Sequence, residues 1–316
     1  MTRLFPRPIE QTKAEIDFLN EHKDVDWQSH YYFFREAVEN GTFLQPEWYH
    51  YNDVYDWTSA NLTKEPLFIN ISGNHDIGYG DTTYQHMARW RKLFGKDNYW
   101  IEYDQDTNHP WRIVVLNSLA LDGPLLQPEF EKYDWQFIET LENHHYNGST
   151  ILLTHVPMYK KAGLCVDGPN VEYYNKDNCH KGGEYRIGLL KSTNHLQFET
   201  TQRVLNAIFK DSKSGAILTG HDHEGCENFY NMNEETGIWE ASKNITSNKF
   251  IKEITVRSIM GDFDGNIGIF NGHFNEGTKV WEYDYSVCPF IVQHVWWGAQ
   301  VTLILSILLH SIAFLF

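Results

Sequence analysis

The run Thr150-Ile151-Leu152-Leu153-Thr154-His155 is apolar and β-branched, and it stops at a polar side chain. Such a run predicts a buried strand whose carboxyl end carries His155. The pattern recurs in Gly215-Ala216-Ile217-Leu218-Thr219-Gly220-His221 and in Leu67-Phe68-Ile69-Asn70-Ile71-Ser72-Gly73-Asn74. Because ligands of open α/β sheets gather at the carboxyl ends of strands, we expect these three strand ends to meet.

Helical patterns alternate with these strands along the chain. Further helices are predicted at residues 9–22, 31–40, 83–94, 135–141 and 199–209. Further strands are predicted at residues 98–103 and 111–116, and a late hairpin at residues 251–259 and 266–274. The alternation indicates a layered α/β domain, which we place at residues 1–290.

The last part of the chain is a candidate membrane anchor. Residues 285–316 contain no Lys, Arg, Asp or Glu, and residues 295–316 are long enough to span a bilayer. Trp296 and Trp297 stand where an interfacial aromatic belt is expected. A buried amphipathic helix is the alternative, but no polar face repeats at helical spacing. We therefore predict a transmembrane helix at residues 291–316.

Composition bears on partners and compartment. The formal net charge of -16 disfavours nucleic acid as a partner, and the aromatic fraction of 15% is unlike a disordered chain. Several Asn-x-Ser/Thr sequons favour a lumenal or extracellular domain. They begin at Asn40, Asn61, Asn70, Asn147 and Asn244. A disulfide between Cys165 and Cys179 would agree with that compartment, and two free thiols are the alternative.

Gly73-Asn74-His75-Asp76 is the first stretch with chemical character. The Asn74 amide oxygen could bind a cation without adding charge, and His75 could donate a proton to a phosphate ester. Asp76 could fix the tautomer of His75. A plain Asx-turn with a surface histidine is the alternative interpretation.

Two other stretches add histidines. His155 alone is more often structural than a ligand. In Gly220-His221-Asp222-His223 two histidines at positions i and i+2 could approach a metal pair from one side, and a surface histidine pair is the alternative. The order of the three motifs along the chain carries more weight than any single motif.

The order Gly-Asn-His-Asp, strand-His and Gly-His-Asp-His resembles the calcineurin-like metallophosphoesterase superfamily. The resemblance implies a β-sandwich flanked by helices and a site for two divalent cations. It implies that Asn74, His155 and His221 hold one cation, that His223 holds the other and that His75 is the catalytic acid. In this family the two cations activate a water molecule and neutralise the phosphate oxygens.

A finer resemblance is to the endoplasmic-reticulum membrane branch that removes ethanolamine-phosphate from GPI-anchor glycans. It rests on residues 73–80, 116–124, 220–226 and 256–261. It implies a lumenal catalytic domain, manganese as the metal, and a GPI lipid or GPI-anchored protein as the substrate. Such an enzyme would support exit of GPI-anchored proteins from the endoplasmic reticulum.

The family's early motifs, Asp-x-His and Gly-Asp-x-x-(Asp/Asn/Ser), do not occur before Gly73. We therefore expect an N-terminally shortened chain that holds one cation well and has weak or no activity. Two alternatives stay open. One is a lumenal phosphoesterase for a nucleotide or lipid headgroup, and the other is a non-catalytic membrane protein in cargo sorting.

Overall fold

The computed structural model describes residues 69–179, 181, 183–290 and 293–315. Their largest element is a seven-stranded sheet in the order β1-β2-β3-β6-β9-β7-β8. The strands are β1 (Tyr99–Tyr103), β2 (Trp111–Leu116), β3 (Ser149–Thr154), β6 (Ser214–Thr219), β7 (Cys226–Asn233), β8 (Ile238–Ser242) and β9 (Phe250–Thr255). Two ribbons, β4 (Val171–Tyr173) with β5 (Leu190–Thr193) and β10 (Asn266–Asn275) with β11 (Val280–Pro289), complete the described strands.

The centre of the sheet is parallel, which aligns the strand ends that matter for the site. β2, β3, β6 and β9 run parallel, whereas β1, β7 and β8 run antiparallel to their neighbours. Leu153 is opposite Leu218, so β3 and β6 end at the same edge. The strands predicted at residues 150–154 and 215–219 are therefore confirmed, and the structure adds that they run parallel.

Both faces of the sheet are covered. Val114, Leu116 and Leu152 belong to the main core on one face, together with side chains from the helices. The alternate residues on β1 and β2, including Tyr99 and Val115, form a smaller cluster on the other face. Burial of both faces explains why these strands are continuously apolar instead of alternating.

The helices agree with the predicted segments and extend some of them. They are α1 (Asn74–Ile77), α2 (Tyr84–Phe94), α3 (Pro128–Asn143), α4 (Phe198–Phe209) and α5 (Gln293–Leu315), with 3-10 turns at Glu184–Arg186 and Gly261–Phe263. Thr83 caps α2 by accepting from the His86 backbone N–H, and Gly95 ends it at φ 84°. α5 is fully exposed and apolar, and His294–Phe314 is long enough to cross a membrane.

Two local predictions were wrong. Residues 251–259 and 266–274 do not form a hairpin, because β9 is taken up between β6 and β7 while β10 pairs with β11. Residues 69–71 are not a strand, although Ile69 and Ile71 pack beside the smaller cluster. The helices predicted at residues 9–22 and 31–40 lie outside the described residues. The α/β class is confirmed, and the two-sheet sandwich stays a prediction.

Candidate functional site

A cavity of about 440 Å³ opens at the carboxyl edge of β3 and β6. Its lining comes from five stretches of the sequence, namely residues 74–75, 155, 220–223, 256–259 and 266–268. Asn74, His75, His155, His221 and His223 all line it. The structure therefore brings together five of the six site residues that the sequence singled out, and the sixth, Asp76, is their neighbour on α1.

His155 follows β3 and is the centre of the cluster. Its Nε2 lies 2.9 Å from Asn74 Oδ1, and its ring centroid lies 5.1 Å from that of His221. Since an amide oxygen only accepts, Nε2 carries the proton in this contact. Burial, reinforced by the charge of neighbouring His221, lowers the pKa of His155 to about 3. The ring is therefore neutral at physiological pH, as a metal ligand must be.

Two glycines allow the backbone to approach the His155 ring closely. A Cβ atom on Gly73 would stand 3.3 Å from His155 Cε1, and one on Gly220 would stand 3.4 Å from Nδ1. The glycines that open the first and third motifs thus serve the histidine of the second. This is a structural reason for finding Gly in both motifs.

His221 is held in a sparsely populated backbone conformation, with φ at 72°. Its Nε2 lies 2.9 Å from the Thr193 carbonyl oxygen and 3.0 Å from the Tyr79 hydroxyl. Nε2 therefore donates to the carbonyl, and Nδ1 carries the lone pair, with the Tyr79 hydroxyl 3.5 Å from it. Burial lowers the pKa of His221, and the bond to Thr193 opposes that effect.

The first motif forms the exposed lip of the cavity. His75 and Asp76 are exposed, whereas Asn74 is half-buried. The Asp76 carboxylate accepts from the Gly73 backbone N–H at 2.8 Å and so closes the turn that begins α1. The carboxylate thereby secures the motif's backbone, and its role toward His75 stays a prediction.

The disulfide differs from the predicted one. Cys165 pairs with Cys226, at a Cα–Cα distance of 5.8 Å, and Cys179 is free. The prediction was wrong because it considered only cysteines that flank one loop, whereas the loop after β3 folds over the turn that follows His223. The bridge brings Asp167 close to Asp222, and burial together with that like charge raises the pKa of Asp167.

Sequence reasoning missed several residues that shape the cavity. Tyr79 lies within a stretch that the resemblance used, but its bond to His221 has no sequence signature. Thr193 contributes only its backbone carbonyl. Cys226 follows His223 by three positions, and that proximity was the available signal for its pairing. Arg257 also lines the cavity, close to Gly225, on which a Cβ atom would meet Arg257 at 3.0 Å.

The donor atoms are of the kind that bind manganese or zinc, but they are too few to complete a cation site. Asn74, His155 and His221 offer neutral oxygen and nitrogen donors. Asp222 also lines the cavity, and its buried Oδ2 has no hydrogen-bond partner among the described residues. Residues 69–315, with their gaps, contain no group of three or more His, Cys, Asp or Glu placed to hold a metal ion. The described donors therefore fit part of a cation site.

Comparison with known proteins places this chain beside three fungal relatives. It is 49% identical over 318 residues to Protein TED1 of Saccharomyces cerevisiae, covering 97% of this chain and 66% of that protein. It is 30% identical over 250 residues to an uncharacterized protein of Schizosaccharomyces pombe, covering 71% of this chain and 50% of that protein. It is 24% identical over 180 residues to Cell division control protein 1 of Saccharomyces cerevisiae, covering 55% and 33%.

No family model and no solved structure matches the chain. The chain spans one third to two thirds of the length of these curated relatives. The similarity to Protein TED1 extends over nearly the whole of this chain.

Proposed function

We propose that this chain contributes most of a metal-dependent phosphodiesterase site. The observation that carries the proposal is the meeting of Asn74, His155, His221 and His223 in one cavity, with His75 at its lip. Three segments that are distant in sequence supply cation-type donors to one place. Unrelated surface histidines are not expected to follow two adjacent parallel strands, nor to have two glycines, Gly73 and Gly220, packed beside the His155 ring.

The residues divide into binding and proton-transfer roles. Asn74, His155 and His221 would hold one cation, and His223 would contribute to a second. When bound, two such cations neutralise phosphate oxygens and activate water. The Thr193 carbonyl and the Tyr79 hydroxyl fix the orientation of His221. His75 is exposed at the lip, where it can donate a proton to the leaving oxygen.

We further propose manganese as the metal and the ethanolamine-phosphate of GPI-anchor glycans as the substrate, in the lumen of the endoplasmic reticulum. The support is the sequence resemblance described above, the sequons and the candidate membrane helix. Removal of this group would assist the exit of GPI-anchored proteins from that compartment. The two enzymatic alternatives, a nucleotide or a lipid headgroup ester, share the same phosphate chemistry.

The testing experiment measures manganese content and hydrolysis of bis-p-nitrophenyl phosphate. It compares this chain with a version that carries upstream in-frame sequence. We expect the extended protein to bind more metal and to turn over, and His75→Ala to lower its turnover at least 100-fold. His273→Ala is the matched control, because His273 is an exposed histidine on the β10–β11 ribbon.

A second candidate is a non-catalytic membrane protein that sorts cargo. It is favoured by the incomplete donor cluster of the described residues. If neither protein binds metal or hydrolyses the ester, the phosphodiesterase proposal fails and this second candidate replaces it. If both bind metal but His75→Ala is fully active, the proposed acid is wrong while the metal site stands.

A further inference from the structure

An apolar surface lies beside the cavity and continues toward the C-terminal helix. It consists of the exposed side chains of Ile259, Met260, Ile267, Ile269 and Phe290, which we call the apolar rim. We propose that the apolar rim rests on the bilayer into which α5 inserts, so that the cavity opens at the membrane surface. The proposal rests on α5 being a membrane anchor, and it does not depend on metal binding.

Exposure distinguishes the apolar rim from ordinary surface hydrophobics. Its five side chains are each between 38% and 61% exposed. They come from two neighbouring stretches, the loop before β10 and the open end of the β10–β11 ribbon. Scattered single hydrophobics are normal on protein surfaces, whereas a contiguous group next to a pocket marks an interaction site.

The short link between the β10–β11 ribbon and α5 places the apolar rim near the start of the candidate membrane helix. Pro289 at the end of β11 is paired with Asn266 at the start of β10, and the Phe290 N–H donates to the Gly265 carbonyl. Only residues 291 and 292 separate Phe290 from the first residue of α5. An extended chain advances at most ~3.6 Å per residue, so Phe290 stays within roughly 11 Å of the start of α5.

A short series of backbone hydrogen bonds ties the same surface to the cavity. The Ser258 N–H donates to the His223 carbonyl at 3.0 Å, and the Asn266 N–H donates to the Ser258 carbonyl at 2.9 Å. Ile259 and Ile267 line the cavity as well as belonging to the apolar rim. The candidate ligand His223 is therefore two hydrogen-bonded backbone steps from the start of β10, which pairs with the end of β11 at Pro289.

One face of the β10–β11 ribbon is apolar at one end and polar at the other. Alternate residues on β10 share one face. Near Pro289 that face carries Ile267 and Ile269, and toward the far end of the ribbon it carries Asn271 and His273, which are exposed and polar. On this face, only the end beside α5 is apolar. Such an arrangement is suited to shallow contact with the lipid interface.

Charge shows that this contact is apolar and not electrostatic. Arg257, the basic residue beside the apolar rim, is paired with Asp264 at 3.0 Å and with Glu224 at 3.6 Å. The chain as a whole has a formal net charge of -16. Anionic lipids should therefore add nothing to the contact. A pocket opening at this surface would receive phosphate esters that are carried by membrane lipids.

The test uses the full chain in nanodiscs of phosphatidylcholine that contain a lipid with a photoreactive acyl chain, followed by peptide mapping. We expect lipid labels on residues 259–269 and 287–290 as well as on α5. The Ile267→Ser/Ile269→Ser double variant should lower labelling of the first peptide at least fivefold. Ile245→Ser is the control, because Ile245 is 50% exposed on the loop between β8 and β9.

Other outcomes overturn the proposal. Labels confined to residues 293–315 would show that the apolar rim is away from the bilayer, and an absence of labels on α5 would remove the anchor itself. Crosslinks from the apolar rim to residues 1–68 or to a second copy of the chain would assign the surface to that partner. None of these readings depends on turnover, so a failure here is separate from a failure of the phosphodiesterase proposal.

Discussion

Two buried polar clusters support the segments that carry His155 and Gly73, and they differ in how their charge is balanced. On the strand side, Lys160 Nζ lies 2.6 Å from Glu253 Oε2, and both side chains are inaccessible to solvent. Glu253 also accepts from the Met158 backbone N–H at 2.8 Å and from the Tyr230 hydroxyl at 3.3 Å. This cluster fixes the segment that follows His155 against β9.

The segment that leads to Gly73 is held by a chain of hydrogen bonds that contains no positively charged side chain. Ser72 donates to the Asn117 side chain at 3.2 Å, and the Asn117 backbone N–H donates to Asn98 at 2.7 Å. Asn98 in turn donates to Asp134 Oδ1 at 2.6 Å. Asp134 is fully buried, and its Oδ2 has no hydrogen-bond partner among the described residues. Burial first, and nearby Asp97 second, raise the pKa of Asp134 well above its ordinary value.

The comparison shows that the neighbour of a buried charge decides whether removing that charge raises or lowers the stability of the fold. Glu253 is satisfied by Lys160, so deleting the cation leaves a buried carboxylate uncompensated. Asp134 has a like-charged neighbour, so deleting its charge removes a cost. Neutralising Lys160 should therefore destabilise the protein, and neutralising Asp134 should stabilise it.

The largest expected effect is that of Lys160→Met. We expect it to lower the free energy of unfolding by roughly 3–5 kcal/mol, because it breaks a buried pair on one side only. Thermal unfolding of the detergent-solubilised chain measures the change. Lys191→Met is the control, since Lys191 forms a comparable pair with Glu172 that is exposed, and it should cost at most ~0.5 kcal/mol. Equal losses for the two variants would contradict the distinction.

The next effect has the opposite sign. Asp134→Asn keeps the oxygen that Asn98 contacts and removes the charge, so we expect it to raise the free energy of unfolding by roughly 1–2 kcal/mol at pH 8. The folded-state pKa is raised, so the stabilising contribution of Asp134 is present below its unfolded pKa of ~3.9 and is lost as pH rises. The advantage of the variant should therefore shrink as pH falls from 8 toward the unfolded pKa of ~3.9, as measured by thermal unfolding. An advantage that is constant with pH would count against a buried, raised carboxyl.

The sequence was sufficient for the strand side of the cavity and insufficient for the other. Apolar runs ending in His155 and Gly220-His221 specify parallel strands, and parallel strands bring their ends together by geometry alone. The segment before Gly73 has the same apolar character, but residues 69–71 pack as an irregular stretch. Composition in a window of five residues does not distinguish these outcomes, because pairing depends on which neighbours are available.

Long-range contacts explain the remaining misses. The Cys165–Cys226 bridge joins residues 61 positions apart, and Glu253 is 93 positions from Lys160. Neither pairing leaves a local periodicity. The Thr193 carbonyl that orients His221 is a backbone group, which any residue would supply. These contacts depend on topology, and the sequence patterns used here report only on local structure and on strand ends.

The smallest expected effect sharpens the comparison at the lip of the cavity. Ser72→Ala removes a buried donor, but Asn117 Oδ1 still accepts from the Leu119 backbone N–H at 3.2 Å. The expected loss is therefore only ~0.5–1 kcal/mol of unfolding free energy. Because Ser72 adjoins Gly73, the loss should appear locally, as faster amide hydrogen exchange in Asn74–Ile77 with exchange in β3 unchanged. Uniform acceleration across both elements would show instead that the two sides of the cavity unfold as one unit.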